Sequence, residues 1–135
     1  MSGISPSRTN WPLVLLLWLA GLGAAAQYGK VSVVFDRLEA LFPDAGAMLG
    51  WAVSLVGGVG IVLGVIAGVV VARLTLRRAV IWALWLGAAM SFVQALAPPL
   101  SIFLASRVLE GLSHLAIVVA APTMIAGLSA ERDQG

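Results

Sequence analysis

Leu100-Ser-Ile-Phe-Leu-Ala-Ser-Arg107-Val-Leu-Glu110-Gly111-Leu-Ser-His114-Leu-Ala-Ile-Val-Val-Ala-Ala-Pro122-Thr-Met-Ile-Ala-Gly-Leu-Ser-Ala130 is a run of aliphatic, aromatic and small residues interrupted by three ionisable side chains. It is long enough to cross a bilayer, for which a helix needs about 20 residues. A charge at bilayer depth costs at least ~2.5–3.5 kcal/mol on insertion scales, so Arg107, Glu110 and His114 must face protein or water rather than lipid. Their spacings of three and four residues put all three on one helical face, where they form a polar stripe. The other helices have to cover that stripe.

Composition sets the class. Of 135 residues, 61% are hydrophobic and 10% charged, and the mean hydropathy is +1.04, far too apolar for a soluble domain of this size. The chain reads as an all-α polytopic membrane protein with four spans, at about 20 residues per crossing. An isoelectric point near 9.9 suggests nucleic acid, but the net charge is only +2 and the bases lie in or beside loops next to spans. They read as topology signals, and the partner is the lipid bilayer, not nucleic acid. Without cysteine there are no disulfides or thiolate metal sites.

Outward from the quoted run, the expected organisation is a polar segment 1–10, a four-helix domain 11–130 with spans near 11–34, 46–73, 79–97 and 100–130, and a tail 131–135. The apolar stretch from Trp11 followed by Ala24-Ala25-Ala26 also fits a cleavable signal peptide, but hydrophobicity resumes at Val31, which favours a full first span. Asp36 to Ala45 reads as a mixed-charge loop. The second span repeats Gly60, Gly64 and Gly68 every four residues, and with Gly111 on the fourth span these read as helix-packing positions where backbones approach closely. Trp82 and Trp85 fit an interfacial start to the third span. Gln94, near its other end, reads equally as interfacial or functional, and Pro98-Pro99 ends the span.

Three arginines (Arg73, Arg77, Arg78) join spans two and three, Arg8 precedes span one, and no base separates spans three and four. The positive-inside rule then puts both termini and the Arg73–Arg78 link in the cytoplasm, with the protein in a plasma (inner) membrane. Lys30 is expected to snorkel to the outer interface.

Two motifs then resemble those of the major facilitator superfamily of transporters. Gly68-Val-Val-Val-Ala72-Arg73-Leu-Thr75-Leu-Arg77-Arg78 is similar to that family's Gly-x-x-x-Asp-Arg-x-Gly-Arg-Lys loop, with Ala72 and Thr75 in place of the Asp and second Gly. Ser106-Arg107-Val-Leu-Glu110-Gly111 is similar to its Arg-x-x-x-Gly motif. The resemblance implies an amino-terminal segment of a larger carrier, the first four helices of a bundle type that binds substrate near mid-membrane. It implies a gating loop at Gly68, Arg73, Arg77 and Arg78. It also implies a cavity in which Gln27 and Tyr28 of the first span share a substrate or coupling site with Arg107, Glu110 and His114.

For Arg107 two readings stand: recognition of an anionic substrate, and a structural ion pair with Glu110. Glu110 and His114 read as a proton relay or as hydrogen-bonded neighbours, and proton coupling stays open with them. No nucleophile–base set, phosphate loop or metal cluster is present, so the reading is a non-enzymatic secondary transporter of a small organic solute by alternating access, without cofactor. It would act with the remaining helices of the carrier or with another copy. The alternatives are a small four-helix protein acting as an exporter-like oligomer and a non-transporting assembly subunit.

Overall fold

Asn10 caps the first helix, its Oδ1 accepting from Leu13 N–H at 3.3 Å with Pro12 in the opening turn, where a missing N–H costs nothing. The computed structural model describes residues 8–73 and 75–133, with the side chains of 67, 68 and 70–73 outside the description. In chain order it has α1 (Trp11–Val33), α2 (Phe35–Leu41), α3 (Met48–Arg73), α4 (Leu76–Ala95), α5 (Leu100–Leu128) and a 3-10 turn (Glu131–Asp133). α1, the stretch of α3 from Met48 to Ile66, α4 and α5 are each long and apolar enough to cross a membrane. The protein is therefore an all-helical integral membrane protein with four candidate spans.

α5 is the central element. It packs against α4, α3 and α1, which touch one another far less. Contacts along its length give the directions: Glu110 meets Lys30 and Asn10 N–H meets the Leu128 carbonyl, so α1 runs antiparallel to α5. Ala52 meets Arg107 while Val59 meets Gly111, so α3 runs parallel to it. Ser91 meets Glu110 and Ala83 meets Ser113, which makes α4 antiparallel. The start of α1 and the end of α5 are tied further by Ala130 N–H donating to Thr9 Oγ1 at 2.8 Å.

Two apolar clusters sit at either end of the bundle. One gathers Leu17, Ala24, Val80, Ala83, Ile117 and Ala120; the other gathers Val31, Leu38, Leu49, Ala52 and Phe103. On α5 the polar residues Ser106 to His114 fall between Phe103 of the second cluster and Ile117 of the first. The charged stripe therefore has a packed apolar plug above it and another below.

Three expectations change. Residues 35–41 form α2 rather than a mixed-charge loop, because Leu38 and the adjoining Phe35 and Phe42 pack into the second cluster while Asp36, Arg37 and Glu39 face out. Phe42 and Phe103 have ring centroids 5.9 Å apart. α4 starts at Leu76, three residues before the expected Ala79, so Arg77 and Arg78 occupy its exposed first turn. The third correction concerns glycine. A Cβ built at Gly60 or Gly64 meets nothing within 4 Å, so these two face open space rather than a helix of this chain. Gly68 lies outside the described side chains.

At Gly111 the situation is the reverse: a Cβ would sit 3.0 Å from Val59 Cβ and 3.1 Å from Val56 Cα. Because one neighbour is backbone, α3 and α5 would have to separate to admit even a methyl group. Gly111→Ala is expected to destabilise by about 1–3 kcal/mol through overpacking. Gly60→Ala and Gly64→Ala should be neutral or stabilise by up to about 1 kcal/mol, since alanine is the better helix former. Thermal unfolding of the three variants in one detergent checks this; an equal loss in all three would contradict the packing described.

Candidate functional site

Glu110 is wholly buried ten residues into α5, roughly 15 Å along the axis from Leu100 at 1.5 Å per residue. A lone carboxylate there would be prohibitively desolvated, so its neighbours matter. Oε1 accepts from Lys30 Nζ of α1 at 2.5 Å and from Ser91 Oγ of α4 at 3.1 Å. Oε2 accepts from Gln94 Nε2 of α4 at 2.9 Å and from Nη1 of Arg107, one turn back on α5. One side chain thereby joins α1, α4 and α5.

Arg107 extends the network to α3. It is wholly buried; Nε donates to the Ala52 carbonyl at 2.8 Å and Nη1 to the Gln27 carbonyl at 3.2 Å. Its Nη2 is buried and has no hydrogen-bond acceptor among the described residues. Lys30 donates to Ser91 Oγ at 2.8 Å as well as to Glu110, and its side chain stays 32% exposed, so the cluster is open along α1.

The other expected site residues lie one turn further along. His114 Nδ1 faces the Ala24 carbonyl at 3.0 Å, so that nitrogen is the donor. The His114 ring tilts against Tyr28 with centroids 5.6 Å apart. His114 makes no hydrogen bond to Glu110 among the described residues. Tyr28 is exposed and lays its hydroxyl against Gly57 of α3, where a built Cβ would stand 3.2 Å away. The Gln27 amide and Ser113 Oγ both press on Gly87 of α4, within 2.6–2.9 Å of a built Cβ. Gly87 is therefore the opening that admits Gln27 between α4 and α5.

Arg77 and Arg78 of the expected gating loop are exposed at the start of α4, and the side chain of Arg73 lies outside the described residues, as does Gly68. An apolar groove near the same end, lined by Leu13, Leu17, Leu76, Arg77, Thr123 and Met124 among others, shares no residue with the charged cluster. Among the described residues no group of three His, Cys, Asp or Glu side chains could hold a metal.

Lys30 is the main correction. Rather than snorkelling outward it reaches back to Glu110, whose wholly buried carboxylate has an oxygen, Oε1, that Arg107 does not occupy. Ser91 and Gly87 are the other participants that the sequence reading passed over, while Gln94, read equally as interfacial or functional, is placed on Glu110. Their spacing, 87, 91 and 94, is a small-and-polar stripe at helical period on α4, and Gln27 with Lys30 makes the matching pair on α1.

Removing Glu110 leaves the buried Arg107 without its carboxylate and beside a second cation, so Glu110→Ala is expected to cost about 3–5 kcal/mol. Lys30→Met should cost less, because the lysine is partly exposed and its pairing partly screened. Arg107→Gln combined with Glu110→Gln should recover much of what either change alone loses, since no wholly buried charge is left orphaned and the remaining Lys30 is partly exposed. Midpoints of thermal unfolding for these five variants check the order; additive losses in the double variant would show that the two residues do not act as a pair.

Comparison with known protein families, characterised proteins and solved structures finds no match. The resemblance to a major facilitator carrier therefore rests on residues 68–78 and 106–111 of this sequence alone.

Proposed function

We propose that this chain forms one wall of a secondary transporter that moves a small organic solute across the membrane by alternating access, in a bundle of major facilitator type. The observation that carries the reading is the Lys30–Glu110–Arg107 cluster, in which two cations and a carboxylate lie at bilayer depth where apolar side chains would pack at lower cost. Intramembrane charges of this kind mark solute or ion paths, and that these join four helices supports the reading. Neither catalysis nor a bound cofactor is needed for this role.

In this reading both termini and the Arg73–Arg78 link are cytoplasmic and α2 with Pro98-Pro99 lies outside. The opposite wall of the path comes from further helices of the carrier or from another copy. Gly60 and Gly64, together with Ile61 and Val65, which are 88% and 85% exposed, supply a face on α3 that another helix could meet closely. That face also supports the second reading, a small helical protein that works as an oligomer.

The native chain has no cysteine, so single cysteines report side of exposure without background. With an impermeant thiol reagent, Ala40→Cys should react only from outside and Thr75→Cys only from inside. Tyr28→Cys, beside the cluster, should react from both sides as the path opens alternately. Labelling of Tyr28→Cys from one side only would count against alternating access, and reversal of the Ala40 and Thr75 pattern would overturn the orientation.

A further inference from the structure

The charges that meet on α5 do not balance. Lys30 and Arg107 are two cations and Glu110 is one carboxylate, which leaves one positive charge in the cluster. His114 lies one turn away with its Nδ1 on a carbonyl, and no other acidic residue belongs to the described part of α1, α3, α4 or α5. An uncompensated charge at that depth is costly, so the site as built is incomplete without an anion.

Hydrogen bonding points the same way. An ammonium has three N–H donors, and Lys30 uses one on Ser91 and one on Glu110. Arg107 is 0% exposed and places Nε and Nη1 on protein oxygens, while both N–H groups of Nη2 have no acceptor among the described residues. Unused donors thus remain on both cations. Lys30 is one-third exposed and Tyr28 44% exposed, so the lysine end of the cluster is reachable along α1.

We propose that Lys30 and Arg107 together bind a small organic monoanion, a carboxylate, with Glu110 holding the two cations in register. This rests on the transport reading for the ligand's role as the solute carried. A single negative charge neutralises the site, whereas a cation would add to the excess and a dianion would reverse it. The planar edge of a guanidinium suits the two oxygens of a carboxylate, and the ammonium supplies a point charge beside them. Ser91 and Gln94 are positioning residues, because they hold Glu110 and Lys30 rather than the ligand.

Lys30 is the only lysine of the chain, which gives a direct readout. The wild-type protein in phosphatidylcholine nanodiscs is acetylated with the uncharged reagent N-succinimidyl acetate, and modification of Lys30 is followed by peptide mass spectrometry with benzoate or its neutral isostere benzamide present. Benzoate should slow the reaction saturably, by about tenfold at about ten times its dissociation constant, and benzamide should not. Arg107→Lys should weaken protection by losing the guanidinium edge; if that variant fails to fold, the benzoate–benzamide comparison stands on the wild type. Equal rates with benzoate and benzamide would overturn the proposal. Slowing by phosphatidylglycerol nanodiscs without benzoate, and none by benzoate itself, would assign the cations to a lipid headgroup and also overturn it. The readout needs no transport: lost protection with two-sided labelling of Tyr28→Cys intact rejects the anion site alone, and one-sided labelling with protection intact rejects alternating access alone.

Discussion

A carboxylate buried at bilayer depth must be surrounded by donors, and Glu110 imposes that requirement on every long helix around it. Each of its oxygens takes two donors, from α1, α4 and α5, and its partner Arg107 takes the backbone of α1 and α3. Association of helices in lipid has no hydrophobic drive of its own, so such bonds and close backbone contacts decide which helices meet. Gly111, one residue after Glu110, supplies the close contact by letting Val56 and Val59 approach. A polar tie and a small-residue contact on adjacent residues explain why α5 is the hub.

Much of this was legible because bilayers restrict the options. Length, hydropathy and the proline pair at 98–99 locate four helices with ends close to those observed, and i, i+3 spacing alone puts Arg107 beside Glu110. What escaped were relations between helices. Lys30 lies three residues from the end of α1 and reads as interfacial until the carboxylate across from it is known. Periodicity marks Gly60 and Gly64 as a groove without saying whether the helix that meets them belongs to this chain. α2 escaped for a different reason: its polar residues dominate the composition of 36–45, while the apolar spacing of Phe35, Leu38 and Phe42 is short enough to pass for chance.

The site departs from a merely structural ion pair in its stoichiometry. A buried pair of one cation and one carboxylate is self-sufficient and commonly replaceable by apolar residues. Here a second cation is added from another helix and kept partly exposed, and donors on both cations remain unused. Retaining such an arrangement is costly for a bundle that only has to hold together, and it suits one in which a ligand completes the charge balance and shifts how α1 sits against α5. A ligand can bias such a movement only by the difference in its affinity for the two arrangements. The Lys30–Glu110 contact, which joins α1 to α5 from the open side, is where that difference would arise.

The tie between α1 and α5 at the centre of the bundle depends on Lys30 meeting Glu110. Zero-length carbodiimide coupling tests that contact directly, because Lys30 is the sole lysine and Glu110 the sole acid of the described spans. At a separation of 2.5 Å, an amide should form between the two side chains and appear by mass spectrometry as one peptide pair linking residue 30 to residue 110. Coupling of Lys30 to Asp36 or Glu39 instead, with no link to Glu110, would place the lysine at the interface and contradict the account.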